Sequence, residues 1–440
     1  KLKNFELLIR TLNNFKNLRG TIDLLPDQLI KWQNVEKIIK EQLFRASVKE
    51  IRTPILEMTE LFMRGIGEGT DVVSKEMYTF LDRGERSCTL RPEGTASVVR
   101  ALIQNGISSK PSQKLWYMGP MFRYERPQAG RQRQFHQLGV EFVGYESVRS
   151  DIEIIALAWD ILEKLGIKEL NLEINTLGDH IDRSNFQKAF LKWLEVNKNS
   201  LDLDSQRRID KNPLRILDTK NVQTKQILEG APRLFDFLSQ KSVERYLIIK
   251  EKLKLLKIPF IENFNLVRGL DYYTHTAFEI TSGLLGSQAT VCGGGRYDNL
   301  ISQMGGKETP AIGFAIGLER LILLSGKDFE ESRETDIYIV NKGLNAEILA
   351  MELSRKLRNY DLVVELDLSG ASFSKQFKKA NKLKSKSIIV IGDDEAVKNE
   401  FVIRLFNNDN LVNKEETISI EDNMKLEKWI KSNLILDKKL

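Results

Sequence analysis

Apolar positions change period several times along this chain, and each change marks a candidate element. After Pro26, Trp32, Val35, Ile39 and Leu43 recur at helical spacing, with Asp27 placed to cap a helix running to about Ser47. "EIRTPILEMTELF" then reads as extended chain interrupted at Pro54, because proline donates nothing to a ladder and restricts the residue before it. From about residue 113 to 145, aromatic and β-branched clusters broken by "MGPM" and the polar loop "RPQAGRQRQ" predict antiparallel strands. Residues of about 180–256 carry long Lys, Glu and Leu patterns with few glycines, the pattern of a helical insertion. Sheet-like sequence returns near residue 264. The charged stretch at 326–335 reads as a linker, and beyond it "DIYIV", "DLVVELDL" and "SIIVIGD" alternate with helical stretches, which predicts a small parallel α/β domain over residues 336–440.

The strand "RQFHQLGVEFVG" carries the first chemical information. Alternation sets Phe135, Gln137, Gly139 and Glu141 on one face and His136, Leu138, Val140 and Phe142 on the other. One face is apolar and core-like, with His136 structural. The other offers an aromatic ring, an amide, a gap and a carboxylate, which suits either the floor of a polar ligand site or a plain solvent-facing side. Upstream, Arg123, Arg126, Arg131 and Arg133 surround Gly130, and guanidinium forks of this kind bind phosphate oxygens in pairs. "AIGFAIGLERLILL" runs as a strand through Gly317 into a helix bearing Glu319 and Arg320. No Walker or dinucleotide-binding glycine spacing is present, so a phosphate ligand is expected to be held mainly by arginines. "LVRGLDYYTHTAFEI" adds Arg268, Tyr272 and Tyr273, fixed charge beside hydroxyls on rigid arms.

Composition limits the classes. The 440 residues are 41% apolar and 29% charged, ordinary for a multidomain globular chain, and no apolar run reaches the roughly 18 residues needed to span a bilayer. Cys88 and Cys292 supply neither a disulfide framework nor a metal pair, which fits a reducing cytoplasm. The basic residues 1–17 form an N-terminal extension that lacks a small-residue cleavage site and contains Glu6, so they do not read as a signal or transit peptide. A net charge of +6 permits an acidic partner without requiring one.

Taken in order, "LRGTIDLLP", "RTPILEMTELFMRGIGEGTDVVSKEMYTF", "FRYERPQAGRQRQFHQLGVEF" and "AIGFAIGLER" resemble the opening and the three class motifs of a class II aminoacyl-tRNA synthetase. "LRPEGT", "LVRGLDYY" and "CGGGRYDNL" resemble the signature of the histidine-specific family, over about residues 18–425. The resemblance implies an α+β fold: an antiparallel-sheet catalytic domain over 18–325 with the helical insertion inside it, then a C-terminal α/β anticodon-binding domain. It implies ATP-dependent activation of L-histidine to histidyl-adenylate and transfer to the 3′ end of tRNA(His), in a cytoplasmic homodimer with no membrane partner.

The same resemblance implies residue roles. Arg123 and Arg268 would flank the α-phosphate as the catalytic charges, with Arg131 and Arg133 on the outer phosphates. Adenine would lie between Phe135 and Arg320 and be read by Glu125, and Mg2+ would arrive with ATP rather than in a protein cage. Glu93, Thr95 and Gln137 would hold the ammonium group of histidine, while Glu141 and Tyr273 address its ring in a pocket also lined by Tyr272. Lys375, Lys378, Lys379, Lys382 and Lys386 form a candidate stripe for tRNA, with Phe373, Phe377, Ala380 and Leu383 turned to the core; such a stripe is equally a solvated face. Cys292, His180 and His275 are assigned no chemistry. Two other functions share the fold: the inactive regulatory subunit of ATP phosphoribosyltransferase, and a nonenzymatic tRNA-binding sensor module.

Overall fold

The computed structural model describes residues 15–67, 70–106, 112–128, 130–210, 213–219, 221–266, 272–288, 290–326, 335–406 and 412–435. Most of the expected N-terminal extension and linker, and Arg268, lie outside the described residues. The chain forms two compact units that divide at Glu330.

In the first unit, helix α1 (Pro26–Arg45) buries Trp32, Val35, Ile39 and Leu43, the residues its period selects. Its cap differs from expectation. Proline occupies the first turn, where a missing N–H costs nothing, so the cap position moves back to Leu25, whose N–H is bonded by the Gln28 side chain at 3.1 Å. Asp27 sits in the first turn, favoured there by the helix dipole. The extended stretch after it is shorter than the sequence predicts. Strands β1 (Lys49–Glu50) and β2 (Leu56–Met58) flank Pro54, and the chain then turns into helix α2 (Thr59–Ile66), because Phe62 and Ile66 find a buried face one turn apart. β2 joins β3 (Tyr78–Leu81) and β4 (Ser87–Leu90) in a small sheet, and helix α3 (Thr95–Gln104) follows.

Strands β5 (Gln113–Phe122) and β6 (Gln134–Val143) are the expected antiparallel pair. Helix α4 (Val148–Lys164) leads to β7 (Leu170–Thr176). Helices α5 (His180–Asn197), α6 (Leu203–Arg208), α7 (Val222–Leu228) and α8 (Gln240–Leu255) then fill the stretch that reads as a helical insertion. The chain re-enters the sheet through β8 (Phe260–Glu262), β9 (Thr274–Ser282), β10 (Thr290–Arg296) and β11 (Ala311–Gly317), with the short helix α9 (Leu300–Gln303) before β11 and α10 (Leu318–Leu324) after it. The eight-stranded sheet has the order β1-β5-β6-β11-β10-β9-β7-β8 and is antiparallel except at its two edge pairs.

Period-two alternation decides what each face of this sheet does. Leu138, Val140, Phe142, Phe278, Ile280, Cys292, Ile312 and Ile316 pack against α1, α4 and α8 as the main core. Their neighbours in sequence face the other way and carry the polar chemistry. Cys88 and Cys292 are both buried, and neither is in a disulfide.

The second unit is a five-stranded sheet of order β13-β12-β14-β15-β16, made from β12 (Ile337–Asn341), β13 (Val364–Leu366), β14 (Ser387–Ile391), β15 (Glu400–Phe406) and β16 (Val412–Ser419). Helices α11 (Leu344–Arg358) and α12 (Phe373–Lys382) are the crossovers between its parallel strands. The wholly parallel reading needs correction: β15 and β16 run antiparallel, since strands joined through short connections must pair that way.

Candidate active site

A cavity of about 460 Å³ opens on the polar face of the large sheet. β6 contributes Phe135, Gln137 and Glu141 to its lining, the alternate residues that its period assigns to one side. His136 points the other way, edge-on to Trp32 with ring centroids 5.1 Å apart, and its Nδ1 lies 3.0 Å from Glu319.

Two glycines shape the floor by close approach. Gly139 pairs with Tyr117 across β5 and β6, and a Cβ built on it would lie 2.0 Å from the Tyr117 ring. Gly313 pairs with Glu141 across β11 and β6, and its Cβ would lie 1.8 Å from the Glu141 carboxylate. The aromatic ring and the carboxylate therefore occupy space that any other residue would fill.

One end of the cavity is built from carboxylates and tyrosines. Glu141 is only 1% exposed, accepts a 2.7 Å hydrogen bond from Thr95 Oγ1 and a second from the Tyr297 hydroxyl, and is pushed by burial up to about 8. Those hydrogen bonds stabilise the charged form, but desolvation outweighs them. Glu93 accepts from the backbone N–H groups of Thr95 at 2.6 Å and Ala96 at 2.9 Å, so it both caps α3 and lines the cavity. Burial raises its pKa as well, against the same kind of hydrogen bonds. Tyr272 and Tyr273 are buried with ring centroids 4.7 Å apart, and Tyr297 meets Tyr272 edge-on at 5.6 Å. Gln137 Oε1 is buried there without a hydrogen-bond partner. An unpaired buried acceptor beside two carboxylates calls for a donor-rich, positively charged group.

The other end carries the guanidinium groups. Arg123 donates to the Pro92 carbonyl at 2.9 Å and lies over the Phe135 ring, 5.3 Å from its centroid. Arg131 reaches Glu125 at 3.2 Å, and Arg320 donates to the Thr290 carbonyl. Burial and the nearby Arg131 both push the Arg320 pKa down, the signature of crowded positive charge that an anion would relieve. Glu76 is likewise pushed up, first by burial and then by Glu125.

Most of the residues singled out in the sequence come together here: Glu93, Thr95, Arg123, Glu125, Arg131, Phe135, Gln137, Glu141, Tyr272, Tyr273 and Arg320 all line one cavity. Arg133 does not line it. That side chain stacks on Tyr124 at 3.8 Å and donates to the Glu125 carbonyl, bracing the loop rather than facing the opening. Two lining residues, Tyr117 and Tyr297, are missing from the sequence expectations; "CGGGRYDNL" carries a signal for Tyr297, whereas Tyr117 emerges only from its pairing with Gly139.

In the second unit, Lys375, Lys378, Lys379 and Lys382 are exposed along α12. Lys379 stands 3.8 Å from Asp367 and 3.9 Å from Glu365. Lys386 lies beyond the helix end and faces Asp336 at 3.8 Å, so it leaves the stripe. Leu383 is 42% exposed rather than core, whereas Gln376 is buried, bonding the Asn341 backbone at 2.7 and 2.9 Å. The helix stops at Lys382 before Leu383 can turn inward.

A polar cavity in one face of an antiparallel sheet, with an α/β unit following in the chain, is the architecture of an aminoacyl-tRNA synthetase. The apo histidyl-tRNA synthetase of S. aureus matches with a TM-score of 0.77 and 37% identity, covering 96% of this chain and all of that one. A Bacillus halodurans structure titled ATP phosphoribosyltransferase regulatory subunit/histidyl-tRNA synthetase shares the fold at a TM-score of 0.62 and 21% identity over 86% of this chain and 98% of that one. The chain belongs to the histidyl-tRNA synthetase family: that family's profile matches residues 20–321, and an anticodon binding domain profile matches residues 336–431. A histidine–tRNA ligase of Prochlorococcus marinus subsp. pastoris is 93% identical over 429 residues, 98% of this chain and 100% of that protein. No helix among the described residues is long and apolar enough to cross a membrane.

Proposed function

We propose that the protein is a histidine–tRNA ligase, activating L-histidine with ATP and transferring it to the 3′ end of tRNA(His). The observation that carries this reading is the tyrosine-lined carboxylate end of the cavity, where Glu141, Glu93 and the unpaired Gln137 oxygen await a cationic, N–H-rich ligand. Histidine has two such ends. Its ammonium suits Gln137, Glu93 and Thr95, and a ring N–H suits Glu141, with Tyr273 and Tyr272 beside it.

The carboxylate of a histidine held in this way points along the cavity toward the arginine end. There its oxygen attacks the α-phosphorus of ATP, pyrophosphate leaves, and charge builds on the phosphoryl oxygens. Arg123 is fixed by the Pro92 carbonyl before the reaction and stabilises that charge without reorganising. Arg268 is assigned the opposite side by its motif alone. Phe135 and Arg320 offer two faces for adenine with Glu125 at its amino group, Arg131 serves the outer phosphates, and Arg133 positions the loop that carries them. Arriving with ATP, magnesium would neutralise charge on the phosphates at the arginine end, where Glu76 is a hard oxygen donor lining the cavity. In the second step the terminal ribose hydroxyl of tRNA takes the histidyl group and adenylate leaves.

The α/β unit with its exposed lysines is read as the tRNA-binding part. Two buried cysteines outside any disulfide suit a reducing cytoplasm. A homodimer is expected from the class motif around Pro54, and sedimentation of a fully active monomer near 50.6 kDa would contradict it. The regulatory-subunit and sensor readings are disfavoured by Arg123, Arg131 and Arg320 lining one cavity and by the anticodon-domain match. Histidine-dependent exchange of labelled pyrophosphate into ATP separates them: neither alternative gives exchange.

A further inference from the structure

We propose that Arg245, on the last helix of the insertion, is a positioning residue for histidine recognition, acting through Asp151 and Arg296 on the hydroxyl of Tyr297. The chain of contacts is continuous, buried from Asp151 inward, with Arg245 partly exposed at its outer end. Arg245 Nη2 donates to Asp151 Oδ2 at 2.7 Å, while its Nη1 donates to the Glu146 carbonyl at 3.1 Å. Asp151 is fully buried and also accepts from Thr276 and from both Nε and Nη2 of Arg296. Arg296 is itself fully buried; it bonds the Tyr145 carbonyl and Asp298, each at 3.0 Å, and Ser150 at 2.7 Å. Its neighbour in sequence, Tyr297, donates to Glu141 at the floor of the cavity.

Charge balance makes Arg245 the element that matters. Asp151 and Asp298 contribute two negative charges, and Arg296 and Arg245 two positive ones. Remove Arg245 and Arg296 alone must serve two carboxylates, one of them without solvent. A buried charge left uncompensated is costly, so Arg296 shifts toward Asp151 and away from Asp298. That shift loosens the turn 296–298, which otherwise is fixed at both ends: Tyr297 N–H to the Ala311 carbonyl at 2.8 Å, and Asp298 to the Ala311 N–H at 3.0 Å. The Tyr297 hydroxyl then no longer holds Glu141 in one orientation. The insertion thus enters amino-acid recognition from behind the sheet, without touching the ligand.

The inference rests on the reading of Glu141 as the partner of the histidine ring, and its test separates the two. Pyrophosphate exchange, with histidine and ATP varied in turn, is measured for the wild type, Arg245→Met, Arg245→Lys, Tyr297→Phe and the Arg245→Met/Tyr297→Phe double variant. Arg245→Met is expected to raise the histidine KM about five- to thirtyfold, the range of a one-contact coupling, with the ATP KM within about twofold. Arg245→Lys recovers most of that loss, and the double variant is no worse than Tyr297→Phe. Additive effects in the double variant, an unchanged histidine KM, or an equal rise for both substrates would overturn the proposal. Should circular dichroism show Arg245→Met unfolded, Arg245→Gln, which keeps a donor but loses the charge, takes its place: a histidine-specific KM rise supports the proposal and wild-type values overturn it. A Tyr297→Phe variant with wild-type histidine KM would remove the pocket reading and this proposal together.

Discussion

Glu141→Gln tests both the electrostatics of the cavity floor and its assigned role. In the folded chain burial holds this carboxyl near 8, against an ordinary value of 4.5. Its folded pKa is raised, so between those values the native state binds more protons than the unfolded chain, and stability falls as pH rises. Below 4.5 the group is protonated in both states, and above about 8 it is charged in both; the loss accrues in the window between. The part of that window above pH 6 corresponds to about 3 kcal/mol, and the complete burial of the group leaves little solvent screening to discount.

Glutamine keeps the shape but does not titrate. It mismatches one of the two hydroxyls donated by Thr95 and Tyr297, a cost of about 1 kcal/mol that does not vary with pH. By pH 6 the wild type has already lost about 2 kcal/mol that glutamine keeps. The variant should therefore be slightly weaker than wild type only below pH 4.5, at least as stable in urea at pH 6, and more stable by about a further 3 kcal/mol at pH 9. Unfolding followed by tryptophan fluorescence at both values gives the difference, in which titrating groups not coupled to Glu141 cancel. In exchange assays the same variant should raise the histidine requirement by about 1–3 kcal/mol and leave that for ATP nearly unchanged. A stability difference identical at pH 6 and pH 9 would refute the electrostatic argument, and a loss confined to ATP would move Glu141 to the other half of the site.

Three further outcomes are expected. Arg268→Ala should keep its circular dichroism spectrum and lose adenylate formation by at least about a hundredfold, as for removal of a transition-state charge; near-normal exchange would clear it of that role. Gly139→Ala sets a Cβ 2.0 Å from the Tyr117 ring and must displace it, so the histidine KM should rise more than the ATP KM, and unchanged kinetics would mean that the ring is free to move. Deleting residues 326–440 should leave pyrophosphate exchange largely intact while charging of tRNA falls far; equal loss of both would make the α/β unit a support of the catalytic fold.

Much of this architecture was legible because periodicity reports burial directly. The two faces of β6 separate in the structure as they do in the sequence, and α1 buries the four residues that its spacing selects. The errors fall where a local rule met a competing one. Asp27 has the chemistry of a cap, but Pro26 next to it is better suited to the first turn and shifts the cap to Leu25. Leu383 continues an apolar period past the point where α12 ends. At the candidate site, arginines and carboxylates announce themselves by type, whereas Tyr117 depends on which strands become neighbours. Register between β5, β6 and β11 is a long-range property, and no single stretch of sequence contains it. Arg133 shows the converse: its residue type fits a phosphate clamp, and its stacking on Tyr124 directs it elsewhere.

Gly139 and Gly313 bear on how such a site can change. A pocket lined by side chains can be reshaped one residue at a time, since trimming any wall enlarges it. Here part of the wall is the absence of atoms, and every single substitution at these two positions adds matter where a ring or a carboxylate already lies. A saturation library should therefore tolerate nothing at Gly139 unless Tyr117 changes in the same molecule, and nothing at Gly313 even when Glu141 changes, because the Val140 carbonyl lies 2.6 Å from that Cβ. Routes to a different amino acid then require paired replacements across adjacent strands, a barrier that insulates the specificity of the floor from ordinary point mutation.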